Sequence, residues 1–129
     1  MREQDKHQNR AWVRYIMLAL LAEKVIQHVF VTAAFFFNWG DIRSTVAVSP
    51  TALMIAGAGL AVLFALALWA VAGRRLWATK LVVALALCDI VGEFIAQGTL
   101  GIELNVSFVV ATTLLVLALL GRGRVVQTA

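Results

Sequence analysis

No charged residue occurs between Pro50 and Ala72. At ~1.5 Å per residue, a helix over that run is long enough to cross a hydrocarbon core of ~30 Å. Helix is also the form in which a lone apolar segment satisfies every backbone amide and carbonyl within lipid. The run is punctuated accordingly, because Ser49 can accept from the orphan amides of a first turn and Pro50 tolerates the first helical position. The rest of the chain has the same character. Apolar residues make up 62% of its 129 positions, where soluble domains hold about 45–50%, and the mean hydropathy is +0.90. An all-α integral membrane protein of one domain is the expectation.

Three further apolar stretches fit that expectation. The first runs from about Ala11 to Phe37, with Trp12 and Tyr15 near one end and Trp39 at the other, and such rings settle at the headgroup level. It far exceeds a signal-peptide core of roughly 7–15 residues and has no convincing cleavage site after it, so it reads as a span that stays in place. A helix over it measures ~40 Å and must tilt or protrude. Residues Met1 to Arg10 read as a polar tail. Asn38 to Val48 forms an outer loop with a short surface segment at Thr45 to Val48, and Gly73 to Trp77 forms a tight inner turn. Spans are thus expected at about 11–37, 50–72, 76–97 and 105–120, joined by short connections into an up-down-up-down four-helix bundle over residues 1–129.

The net charge of +4 and a pI near 10.0 raise nucleic acid as a partner, but the basic residues stand at the ends of apolar runs. Arg2, Lys6, Arg10, Arg14, Arg74, Arg75, Lys80, Arg122 and Arg124 fall on one side of the bundle, with Arg43 alone on the other. The positive-inside rule then puts both termini in the cytoplasm, with lipid and not nucleic acid as the partner. A bacterial or archaeal inner membrane is the expected location. One cysteine, Cys88, excludes an internal disulfide.

Ionisable residues interrupt two of these spans. Glu23, Lys24, Gln27, His28 and Thr32 cover about half of the first helix, a face that cannot look at acyl chains. Asp89, Glu93 and Gln97 follow at every fourth position of the third, beside a stripe of small residues at Ala84, Cys88, Gly92 and Ala96. Small residues of that spacing let a neighbouring backbone approach. Lys24 follows Trp12 at the interval by which Asp89 follows Trp77, ~18 Å at helical rise, and His28 and Glu93 are likewise matched at ~24 Å. Register therefore pairs Lys24 with Asp89 and His28 with Glu93.

Glu23, Asp89 and Glu93 outnumber the single cation Lys24. In low dielectric such a deficit is relieved when carboxyls keep protons, when His28 gains one, or when a cation enters. Chains of Asp, Glu and His serve as proton relays in transporters. The leading expectation is a small protein, homo-oligomeric or part of a larger complex, that moves protons or a cationic solute through Glu23, Lys24, Gln27, His28, Asp89, Glu93 and Gln97. A structural or assembly subunit of a larger membrane complex is one alternative, since interhelical polar pairs can simply select packing. A membrane enzyme doing acid-base chemistry on an apolar ligand is another. Glu23, His28, Asp89 and Glu93 also stand as a candidate set for a single metal ion, although no Glu-x-x-His spacing of the di-metal bundles occurs.

Overall fold

The computed structural model describes the backbone of residues 3–97 and 106–126 and the side chains of 11–96 and 108–120. Among these residues the chain forms α1 (Glu3–Phe37), a 3-10 segment (Trp39–Thr45), α2 (Pro50–Ala72), α3 (Ala78–Gln97) and α4 (Val106–Val126), with no strand. The fold is all-α. Two helices are long and apolar enough to cross a membrane, α1 over Ala11–Phe37 and α2 over its whole length; Phe108–Leu120 of α4 is apolar but shorter. Helix α3 carries Lys80, Asp89 and Glu93 within its length.

α2 has the bounds that its flanking residues predict. Ser49 Oγ accepts from Ala52 N at 3.4 Å, and Gly73 closes the other end by donating to Trp69 O at 2.9 Å. α1 also ends at Phe37 and α3 at Gln97, as expected, whereas three other boundaries differ. α1 starts at Glu3 instead of about Ala11, because its polar first residues include good helix formers that continue the same backbone. α3 begins at Ala78, after a turn in which Arg74 takes a left-handed φ of 54°. α4 runs on to Val126, past the expected end at Leu120. The connection expected over 98–105 lies outside the described residues.

In the first connection, a 3-10 segment at Trp39–Thr45 replaces the surface segment expected at Thr45 to Val48. Asn38, Gly40 and Asp41 all adopt left-handed backbone, which Gly enters freely and Asn and Asp tolerate best among other residues. Arg43 then folds back, donating from Nε to Phe35 O and from Nη2 to Phe36 O, each at 2.7 Å. A guanidinium at a helix C-terminus satisfies orphan carbonyls and meets the negative end of the dipole.

Consecutive helices run antiparallel. Arg14, early in α1, donates to Val71 O and Ala72 O at the end of α2; Trp69 and Trp77 approach across the α2–α3 turn; Phe94, late in α3, meets Phe108, early in α4. α1 packs most extensively on α2, and α3 on α4. Their shared core is Met17, Leu21, Phe64, Ala67, Val82, Leu85 and Leu114 with flanking alanines. Small residues on α2 work as expected at one point: a Cβ at Gly57 would lie 2.9 Å from Thr32 Oγ1, so α1 and α2 approach there as closely as glycine permits. On α3 the small stripe behaves otherwise. Ala84 and Cys88 are exposed, and a Cβ at Gly92 would meet no atom within 4 Å.

Candidate functional site: a buried ion cluster beside a cavity

Lys24 and His28 stand one turn apart on the inner face of α1, and Asp89 faces them from α3. All three are buried, Lys24 completely. Lys24 Nζ lies 2.5 Å from Asp89 Oδ2, and His28 Nε2 lies 3.1 Å from Asp89 Oδ1. One carboxylate thus sits between two basic groups, one to each oxygen. The contacts are close ion-pair approaches; Asp89 Oδ2 and His28 Nε2 do not reach hydrogen-bond alignment. Lys24 also donates to Gln27 Oε1 at 3.1 Å, which gives the buried ammonium a second acceptor. Such a group needs both, because a charge in a dry interior is tolerated only when paired and hydrogen-bonded. The His28 ring stacks on Phe64 of α2, centroids 5.3 Å apart and planes 15° from parallel.

A cavity of about 350 Å³ opens beside this cluster, toward the 3-10 end of the molecule. His28, Asp89 and Glu93 supply its polar wall. The rest is apolar, including Val31 and Phe35 from α1, Leu53 and Leu60 from α2, and Ile42 and Val46 from the connection between them. A hydrogen bond from Ala47 N to Ala96 O, 3.2 Å, ties that connection to the end of α3. A largely apolar hollow with a few converging polar groups is the usual form of a small-molecule site.

The expected pair of Lys24 with Asp89 is therefore present, whereas His28 meets Asp89 and not Glu93. The two basic side chains, four residues apart on one helix face, both reach the carboxylate between them, and Glu93 lines the cavity one turn further along α3. Glu23 joins neither the cavity lining nor an ion pair among the described residues; its Oε2 is enclosed without a hydrogen-bond partner, as is Thr112 Oγ1 on α4. Gln97 ends α3, and its side chain lies outside the described residues. Among the described residues no group of three His, Cys, Asp or Glu side chains is placed to hold a metal ion, so the single-ion set of Glu23, His28, Asp89 and Glu93 is not assembled.

Phe64 and the α2 wall of the cavity carried no signal in the sequence, since in an uncharged helix one apolar residue looks like the next. No family model, no curated protein and no solved structure matches the chain.

Proposed function

We propose that the chain is a four-span integral membrane protein, up-down-up-down with both termini cytoplasmic, that moves protons or a cationic solute by way of Lys24, His28, Asp89 and Glu93. What carries the reading is the buried carboxylate of Asp89, held between two basic groups on the wall of a cavity of about 350 Å³. Ionisable groups at membrane depth are expensive, and their default reading is functional. An aspartate shared between an amine and an imidazole offers alternative places for one proton, and a cation arriving at the cavity would compete with both for the carboxylate.

The surface supports the lipid setting. Large apolar side chains point outward along every helix: Ile26 and Val29 on α1, Ile55 and Val62 on α2, Leu87 and Val91 on α3, Val109 and Val116 on α4. Exposed apolar surface on that scale marks contact with lipid or with other protein. Exposed aromatic rings gather at both ends, with Trp12, Tyr15, Trp69 and Trp77 at one and Phe36, Phe37 and Trp39 at the other. Arg14, Arg74 and Arg75 share the first of these ends, and Arg43, alone at the second among the described residues, is occupied by the α1 carbonyls.

The test is flux across proteoliposomes. Wild type is expected to move protons or a small organic cation at a rate that changes between about pH 5 and 8, and Glu93→Gln to alter both rate and profile. Identical behaviour of the two would remove the proposal. The cavity beside His28 also favours a second reading, acid-base chemistry on an apolar ligand. Recovery of a bound ligand chemically changed, in place of its movement across the bilayer, would select it.

A further inference from the structure

We infer that the turn between α2 and α3 is a binding site for an anionic phospholipid, whose phosphate is held by Arg74, Arg75 and Lys80. The inference rests on the membrane-spanning reading above and is independent of the transport reading.

Arginines at helix ends commonly serve the helix itself, and two in this chain do so. Arg43 takes up the carbonyls of Phe35 and Phe36, and Arg14 those of Val71 and Ala72. The end of α2 asks nothing of the Arg74 and Arg75 side chains. Its carbonyls are met by main-chain amides, Trp69 O by Gly73 N, Ala70 O by Arg75 N and Val71 O by Arg74 N, and Ala72 O is met by Arg14. Among the described residues no oxygen accepts from either of these two guanidinium groups, and Lys80 is likewise exposed and without an ion pair. Lys80 stands in the first turn of α3, where no acidic residue accompanies it and the positive end of the helix dipole disfavours a cation. Glu3 and Asp5 lie in the first turns of α1, roughly 14–16 Å along that helix from Arg14. Three cations are thus gathered on one short stretch with no role in capping the helices beside them.

Their setting fits a phospholipid. Arg75 runs across Gly73, where an added Cβ would lie 3.6 Å from its Nε, and its Cζ stands 4.9 Å from the centre of the Trp69 ring. A guanidinium stacked by its face keeps the donors along its edge for the oxygens of a phosphate. Trp69 and Trp77, with ring centroids 6.3 Å apart and both exposed, are of the kind that settles at the headgroup level. Leu76, between the arginines and Trp77, is 96% exposed. Acyl chains would cover that side chain, whereas the backbone of a nucleic acid would leave it in water. Arg74 holds a left-handed φ of 54°, a conformation that favours glycine, and so the chain carries a charge at the tip of the turn at some cost in strain.

The experiment is quenching of tryptophan fluorescence by acyl-brominated phosphatidylglycerol, titrated into mixed micelles of the full chain. Brominated phosphatidylcholine, which has the same phosphate and acyl chains but no net charge, is the comparison. Wild type is expected to prefer phosphatidylglycerol by tenfold or more. A cation near an anionic lipid surface is worth about fivefold, so Arg75→Gln should reduce the preference by that factor, and Arg74→Gln combined with Arg75→Gln should leave the two lipids bound nearly alike. Arg74→Gly removes a charge from a position that suits glycine; it should weaken phosphatidylglycerol binding about fivefold while the melting temperature holds or rises. Arg43→Gln, at the opposite end and already occupied by carbonyls, should leave the preference unchanged. Equal affinity of wild type for the two lipids, a loss in Arg43→Gln as large as in Arg75→Gln, or displacement of the lipid by an equal concentration of inorganic phosphate overturns the inference. A chain that stays monomeric in buffer without detergent removes the membrane-spanning reading beneath it, whereas equal affinity in a chain that requires detergent removes this inference alone.

Discussion

Replacing Lys24 with Met keeps most of the side-chain volume and removes the charge, so it isolates the electrostatic role of the buried ammonium. At 2.5 Å and an effective dielectric near 20, the attraction between Lys24 and Asp89 is on the order of 7 kcal/mol before desolvation is counted. Most of that gain only offsets the cost of taking both ions out of water. The variant, however, leaves Asp89 buried without its closest cation, and breaking such a pair from one side costs about 3–5 kcal/mol. The assay is reversible unfolding in mixed micelles. Lys24→Met combined with Asp89→Asn removes both charges and should be more stable than Lys24→Met alone. A loss below about 1 kcal/mol, within the range of an ordinary interhelical hydrogen bond in a membrane, would refute the reasoning, as would a double variant no better than the single.

Two glycines should respond with opposite sign. Gly92→Ala gains helix propensity of about 0.8–1 kcal/mol with no neighbour to displace, whereas Gly57→Ala drives a methyl to 2.9 Å from Thr32 Oγ1 and should be net destabilising by about 1–2 kcal/mol after overpacking is set against the same gain; adding Thr32→Ala should restore it, and thermal melts in detergent decide the order. Arg43→Gln releases the Phe35 and Phe36 carbonyls and should cost about 1 kcal/mol, with faster amide hydrogen exchange confined to the last turn of α1 as the local signature.

The sequence carried the helices wherever end signals were explicit. Ser49, Pro50 and Gly73 define α2 because capping is a property of a few adjacent residues. Where polarity stood in for a stop signal, at the start of α1 and the end of α4, helix continues through it. Depth counting from tryptophans matched Lys24 to Asp89, because rise along a helix is fixed. It failed for His28 because rotation about the axis and interhelical distance decide which of two acids a side chain reaches, and neither is written in a spacing. The small stripe of α3 shows the same limit from the other side. Periodicity identified a face at Ala84, Cys88, Gly92 and Ala96 but not the direction it looks: Ala84 and Cys88 are exposed, whereas Gly92 and Ala96 line the cavity. The cavity needs three helices and a connection in place at once, so no single stretch announced it.

On the membrane-spanning reading proposed above, the bond from Lys24 to Gln27 Oε1 matters for the order in which a ribosome would deliver this chain to a bilayer. Lys24 leaves the exit tunnel long before Asp89 has been translated, so the first hairpin must hold an ammonium whose eventual counter-ion does not yet exist. An amide one turn away, on the same helix, is the acceptor available during that interval. Gln27 on this view is a chaperone in miniature, and its replacement by Leu should lower the yield of inserted protein far more than it lowers the stability of the finished one.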